Sequence, residues 1–187
     1  MIVGLDEAGR GPLCGPVVAC AFYFRKKNTK LRIRDSKKTP FLKRQEIFEY
    51  LLKKGIFSLS VVSSGQIDKH NILNATMIAF NRAINGIINQ APFLKKAMFI
   101  VDGNIFRTGL KIKYECVKKA DEKITEVACA SILAKVFRDY LMQILDVIYP
   151  DWGLHQHKGY PTKFHRELLK TKKPTPFHRR SFCKTQM

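Results

Sequence analysis

The chain predicts an α/β protein built on a mixed five-stranded sheet with helices on its faces, and three observations carry that expectation. Short runs rich in β-branched and aromatic residues alternate with segments of helical spacing. The first three strand candidates have one helix among them, which suggests an antiparallel meander on one side of the sheet. Helix and strand candidates alternate in the second half, as parallel pairing requires. The 187 residues, 45% of them hydrophobic, are enough for one domain with a real core. The expected domain spans 1–187, with roughly 150–187 as a basic extension of it.

The first apolar run, Ile2-Val3-Gly4-Leu5, reads as a strand that ends at Asp6-Glu7 and enters a glycine turn, Ala8-Gly9-Arg10-Gly11-Pro12. Pro16 to Phe24 suits a buried strand. A basic loop follows, and Asp35-Ser36-Lys37-Lys38-Thr39-Pro40 carries turn and helix-start chemistry. Phe41 to Lys54 places Leu42, Ile47, Phe48, Leu51 and Leu52 near helical spacing, with Gly55 as its stop. Ile56 to Val62 alternates as a third strand. Ile72 to Ile88 is a helix, with Asn71 or Asn74 as its cap. Ala97 to Val101 is a short apolar strand ending in Asp102-Gly103, and Leu110 to Val117 alternates as the fifth. A charged loop, Lys118 to Lys123, leads to a long helix, Ile124 to Ile148. Its segment Val127 to Phe137 is apolar nearly all round and so belongs in the core. Pro150 ends that helix, and Thr162 to Thr171 forms a last short one before a tail holding Pro174 and Pro176.

Charge narrows the partner. Thirty-four Lys and Arg against fifteen Asp and Glu give a formal net charge of +19, which points to a polyanion, most simply nucleic acid. The excess is concentrated: ten basic residues and one acid between Arg25 and Arg44, nine and one from Trp152 onward. The five cysteines are scattered with no Cys-x-x-Cys pair, so reduced, mostly buried thiols are expected rather than a zinc site or disulfides. No apolar stretch is long enough to span a bilayer. Asp6, Glu7 and Arg10 interrupt the opening run where a signal peptide needs its apolar centre. A cytoplasmic, membrane-independent protein is expected.

The acids carry the chemistry. Leu5-Asp6-Glu7 and Val101-Asp102-Gly103 each place carboxylates at a strand end, where α/β sheets bind ligands. An isolated buried carboxylate costs several kcal/mol, so a cation must balance them. Neighbouring strands lie only about 4.8 Å apart, and carboxylates at adjacent ends can share a divalent ion. Asp121, just before the buried helix, is a further member. Oxygen ligands favour Mg²⁺ or Mn²⁺ over zinc, and two such ions suit in-line phosphodiester hydrolysis. His155-x-His157 is a poor zinc pattern and is expected to be exposed or to face a phosphate. Asp35, Asp139 and Asp151 read as turn or surface charges.

Several segments then match one family. GLDEAGRGPLCGPVV (Gly4 to Val18), DSKK (Asp35 to Lys38), VDG (Val101 to Gly103), ADEKITEVACASILAKVFRD (Ala120 to Asp139), HKGYPTKFH (His157 to His165) and HRRSF (His178 to Phe182) follow in order along the chain. Together they resemble ribonuclease HII, the bacterial type 2 ribonuclease H. The resemblance implies a ribonuclease H-like fold with a helical C-terminal extension. It implies cleavage of the RNA strand of RNA–DNA hybrids, and of duplex DNA on the 5′ side of single embedded ribonucleotides, leaving 3′-hydroxyl and 5′-phosphate ends. By motif position the four acids, catalytic and metal-holding, fall on Asp6, Glu7, Asp102 and Asp121, with two Mn²⁺ or Mg²⁺ ions in the working complex. The glycine-arginine-glycine element falls on Gly9, Arg10 and Gly11, and the junction-sensing tyrosine on Tyr160. Lys37, Lys38, Arg179 and Arg180 read as contacts to the nucleic-acid backbone.

The assignments suit the chemistry, because a ribose is distinguished by its 2′-hydroxyl, which donates and accepts a hydrogen bond. Glycines let the backbone approach that sugar closely, and a tyrosine supplies a rigid ring and a hydroxyl. The chain departs from the family pattern at Lys119-Ala120, which precedes Asp121 where glycine is usual, and at Cys14 and Cys129, where alanine is usual. Gly11-Pro12 differs from the glycine-aspartate of ribonuclease HIII. The tail, Cys183 to Met187, carries no clamp-binding box, so no clamp partner is expected, and a monomer is. A non-catalytic basic binding module accounts for the charge but not for acids at strand ends. A junction resolvase shares the acids and differs in substrate.

Overall fold

The computed structural model describes residues 1–26 and 41–183, with the side chains of residues 41 and 42 outside that description. Five strands form one sheet in the order β3-β2-β1-β4-β5. They are β1 (Ile2–Ala8), β2 (Val17–Phe24), β3 (Gly55–Val62), β4 (Met98–Asp102) and β5 (Lys113–Val117). The pairs β1–β2 and β2–β3 are antiparallel, the expected meander, while β1–β4 and β4–β5 are parallel. The helices are α1 (Phe41–Lys54), α2 (Ser64–Gln90), α3 (Ala120–Lys123), α4 (Thr125–Ile148), α5 (Leu154–His157), α6 (Lys163–Thr171) and α7 (Arg180–Cys183).

Both faces of the central strands are covered, which is why β2 reads as one apolar run rather than alternating with polar residues. Val17, Ala19 and Ala21 join Val3, Leu5, Phe99 and Val101 under Ala79, Ala83, Ile84 and Ile87 of α2. Val18, Cys20 and Phe22 point the other way, against Ala128, Ile132 and Leu133 of α4 and Leu51 of α1. Gly4 lets α4 lie this close, since a Cβ there would collide with the backbone at Glu126 and Val127. The buried segment of α4 is thus the core helix its composition predicts. A third cluster joins the C-terminal extension to the rest: Trp152, Leu154, Leu169 and Cys183 pack on Leu13, Cys14 and Met142.

Boundaries differ in instructive ways. β1 does not stop at Leu5, because β2 pairs with it through Asp6, Glu7 and Ala8, so the two acids lie within a strand. Gly55 opens β3 rather than only closing α1. Asn71 caps Asn74 N–H at 3.0 Å as expected, but α2 already begins at Ser64 and breaks at Asn71, whose φ is 61°. β5 is shorter than Leu110 to Val117. The cysteines are free; four are buried and Cys116 is half-buried. Among the described residues no helix is long and apolar enough to cross a membrane.

Candidate active site

The parallel pair β1–β4 sets the site. Leu5 pairs with Val101, so the next step of the same register puts Asp6 level with Asp102, one strand spacing away. Asp102 Oδ1 accepts a 2.7 Å bond from Ala120 N–H, which draws the start of α3, and with it Asp121, to the same strand end. Asp121 is buried and sits in a helical turn, not in the expected loop. Asp6 is buried too, and Ser131 of α4 hydrogen-bonds its carboxyl. Burial, followed by the charges of Glu7 and Asp102, holds the Asp6 carboxyl well above the usual range; the bonds from Ser131 and Glu7 N–H only partly offset this.

Glu7 departs from its neighbour because successive strand residues face opposite sides of a sheet. Asp6 turns toward α4, whereas Glu7 borders a cleft of about 180 Å³ beside Asp102 and the α2 residues Thr76 and Met77. It also borders a second cleft, of about 260 Å³, lined by Gly9, Arg10, Gly11, Ser131, Lys135 and Tyr160. Arg10 Nη1 lies 3.4 Å from Glu7 Oε1 and lines both clefts, so the two form one groove with Glu7 and Arg10 at its waist. Among the described residues, no three His, Cys, Asp or Glu side chains stand together closely enough to hold a metal ion by themselves. The donor set nonetheless suits a hard cation: carboxylate oxygens, one of them on a buried group whose charge its neighbours oppose.

The turn is built by two buried arginines. Arg138 donates to the carbonyls of Pro16, Cys14 and Lys158 at 2.9, 3.1 and 3.0 Å. Arg179 donates to those of Gly9, Arg10 and Gly15 at 2.5, 2.8 and 2.9 Å. Gly9 has φ of 96° and lies against the Arg138 side chain, leaving no room for a Cβ. Across the groove the Tyr160 ring faces Gly11, where a Cβ would lie 3.8 Å from its Cε1. Lys135 Nζ and Arg138 Cζ stand 5.9 and 6.0 Å from the centre of that ring, within cation–π reach.

Several sequence expectations change. Arg179, expected as a contact to the nucleic-acid backbone, is fully buried and grips the turn from behind, its guanidinium bonded to the Gly9, Arg10 and Gly15 carbonyls. Arg180 is exposed, with its backbone N–H on Asp68 at 2.9 Å. Lys37 and Lys38 lie outside the described residues, as does Asp35. Asp139 is buried and paired with Lys135 at 2.8 Å, not a surface charge. His157 is neither exposed nor facing a phosphate: it is buried, with Nε2 on the Trp152 carbonyl at 2.7 Å. Ser131, Lys135 and Arg138 escaped the sequence reading. Their spacing of four and then three along an otherwise apolar helix, one polar stripe on one face, was the available signal.

Comparison with known proteins agrees along the whole chain. The ribonuclease HII family model matches residues 3–185. A ribonuclease HII of Clostridioides difficile (strain 630) is 43% identical over 185 residues, covering 98% of this chain and 70% of that protein. One of Pelodictyon phaeoclathratiforme (strain DSM 5477 / BU-1) is 42% identical over 193 residues, covering 100% and 91%. The Archaeoglobus fulgidus ribonuclease HII, solved in complex with PCNA, superposes with a TM-score of 0.82 at 27% identity over 99% of this chain and 94% of that one. With a ribonuclease H-like sheet, a match of this length and two relatives of this identity, the chain belongs to the ribonuclease HII family and is a ribonuclease H acting on RNA paired with DNA.

Proposed function

We propose that this enzyme hydrolyses the RNA strand of hybrids in a metal-dependent reaction and cuts duplex DNA 5′ of single ribonucleotides, leaving 3′-hydroxyl and 5′-phosphate ends. The observation that carries the reading is the meeting of Asp6, Asp102 and the start of α3 at one strand end, beside a groove walled by Gly9-Arg10-Gly11 and Tyr160.

Asp6, Glu7, Asp102 and Asp121 are the residues that would hold two Mg²⁺ or Mn²⁺ ions. Bound there, such ions would supply water activation and stabilisation of the leaving oxygen. Ions of this kind are usually held by one or two carboxylates, with water and substrate phosphate completing the shell, which suits acids that do not themselves close a ligand cluster. Asp6 and Asp102 each accept a backbone N–H on Oδ1, and this fixes the orientation of both carboxyls; Ser131 adds a second bond to that of Asp6. Gly9 and Gly11 open the backbone to the sugar, Arg10 and Lys135 offer charge to phosphates, and Tyr160 packs on the ribose and reads its 2′-hydroxyl. Residues 1–187 act as one domain, with roughly 150–187 as the extension that brings Tyr160 in. The enzyme works as a cytoplasmic monomer.

One experiment tests this. The protein is incubated with Mn²⁺ or Mg²⁺ and labelled duplexes that are all-DNA, hybrid, singly ribonucleotide-substituted or four-way, and the product ends are mapped. Cleavage of the hybrid and of the singly substituted duplex, with 3′-hydroxyl ends and no cutting of all-DNA, is expected. Equal cutting of all-DNA duplex would defeat the 2′-hydroxyl readout, and full activity in chelator would defeat the metal.

A further inference from the structure

Behind Tyr160 lies a buried pair of histidines whose protons can be placed from their partners alone. His165 Nδ1 lies 2.9 Å from the Tyr160 carbonyl oxygen, which only accepts, so Nδ1 carries the hydrogen. Its Nε2 is then bare, and it lies 3.0 Å from His178 Nε2. His178 must therefore carry its hydrogen on Nε2 and donate it. His178 Nδ1 in turn accepts from Thr175 N–H at 3.0 Å and from Thr175 Oγ1 at 2.9 Å. Both rings are buried. His157 stacks on His165 with centroids 4.3 Å apart, and Trp152 lies 4.3 Å from His178. His157 is fixed as well, donating from Nε2 to the Trp152 carbonyl and accepting Gly159 N–H on Nδ1 at 3.1 Å.

Every ring nitrogen has a partner, so the cluster offers no lone pair to a metal, and an added proton would set hydrogen against hydrogen. Burial and the neighbouring imidazoles push His165 and His178 down to about 4, so the neutral tautomers persist at physiological pH.

The relay joins the two sides of the groove. At one end is the Tyr160 carbonyl. At the other, the residue after His178 is Arg179, whose N–H donates to Leu13 O at 2.8 Å and whose guanidinium grips the Gly9, Arg10 and Gly15 carbonyls. A backbone bond from Leu13 N–H to Gly159 O, 2.8 Å, ties the two sides at their base; the Tyr160 carbonyl itself is held by Thr162 N–H and His165. We propose that the His165–His178 relay is the positioning device that fixes Tyr160 against the Gly9-Arg10-Gly11 turn and so sets how well the groove recognises a single ribose. This rests on the reading of Tyr160 and the turn as the parts that meet the sugar. His165 and His178 are positioning residues and do not touch substrate.

The test has two arms. In the wild type at pH 7, nitrogen-15 NMR of the side chains should show His165 as the Nδ1–H tautomer and His178 as the Nε2–H tautomer; a charged ring or the reverse pair overturns the relay. In kinetics on the singly substituted duplex, His165→Phe keeps the ring volume and loses both bonds, and kcat/KM should fall about 10- to 100-fold, as a displacement near 1 Å costs. The same change in a Tyr160→Ala background should cost nothing further. His178→Gln, which retains an amide donor toward His165, should keep most of the activity that His178→Phe loses.

If His165→Phe costs as much with Tyr160 already removed, the relay is only structural and the proposal falls while the Tyr160 reading stands. If Tyr160→Ala alone costs nothing, the underlying reading falls first. Should a phenylalanine variant fail to fold, the tautomer pair and a folded His178→Gln decide, and a 10- to 100-fold loss in that variant refutes the relay.

Discussion

Asp6 is a charge placed where its surroundings oppose it. Burial and the nearby Glu7 and Asp102 raise its carboxyl well above the ordinary range, and a group whose ionisation is resisted in the metal-free fold is a site kept at a cost in stability. Asp6→Asn should therefore do two opposite things. Cleavage of hybrid should fall by about 10³-fold or more, a barrier increase of about 4 kcal/mol. The metal-free melting temperature at pH 7 should rise, measured by thermal unfolding. Mn²⁺ should raise the melting temperature of the wild type, through binding linkage, and leave that of Asp6→Asn nearly unmoved. A wild type whose stability ignores Mn²⁺ would argue against these acids as ligands. Asp6, Glu7 and Asp102 were legible because a charge ending an apolar run is chemically odd in itself. The role of Arg179 was not, because nothing local in His-Arg-Arg-Ser-Phe tells which of two adjacent arginines turns inward. That choice is made by the Gly9 to Gly15 carbonyls, more than 160 residues away.

Among the elements, α3 is the most exposed to its own backbone. Lys119, its N-terminal flank, sits at φ 53° and ψ 45°, a left-handed conformation that costs a non-glycine residue about 1–2 kcal/mol. Its side chain recovers little, since the Lys119–Glu122 pair at 3.7 Å is exposed. Lys119→Gly should stabilise by about 0.5–1 kcal/mol once the extra freedom of glycine in the unfolded chain is deducted. That corresponds to about 1–4 °C in melting temperature for a chain of this size. An unchanged or lower value would show that the turn is not strained. The departure from the usual glycine just before Asp121 was visible in the sequence; the strain at Lys119 required the backbone angle. The same limit explains β1. Its apolar run ends at Leu5, but pairing partners rather than hydropathy end a strand, and its pairing with β2 continues through Ala8. The central strands and α4, by contrast, were legible because burial on all sides leaves an unbroken apolar run.

For the whole molecule, charge and proton balance give two expectations. A net charge of +19 makes hybrid binding a counterion-release process. With six to ten phosphates neutralised, affinity should fall about 10³- to 10⁵-fold between 50 and 200 mM salt. Removing one exposed contact with Arg180→Ala should lower the log–log salt slope by about 1; an unchanged slope would place Arg180 off the nucleic-acid path. Acid acts on the fold through the buried histidines. In the unfolded chain they protonate near 6.5, whereas burial holds His165 and His178 at about 4. The unfolded state thus binds more protons between those values, and stability should fall as pH drops from about 6.5 to about 4 and cease falling on their account below it. Asp6 has the opposite sign, holding a proton when folded that the unfolded chain has released, so Asp6→Asn should make the acid loss steeper. Urea unfolding at a series of pH values measures both.

The grip of Arg179 on the Gly9 carbonyl spans 170 residues of sequence, and this gives the enzyme an order of completion. A chain emerging from the ribosome holds every acid of the site by residue 121, and the sheet that carries them by residue 117. The tyrosine that walls the groove and the arginine that shapes the turn arrive only with the last part of the chain. A domain generally folds as a unit, so the turn cannot take its final shape before Arg179 has been made. Until Arg179 docks, the acids have no shaped groove beside them.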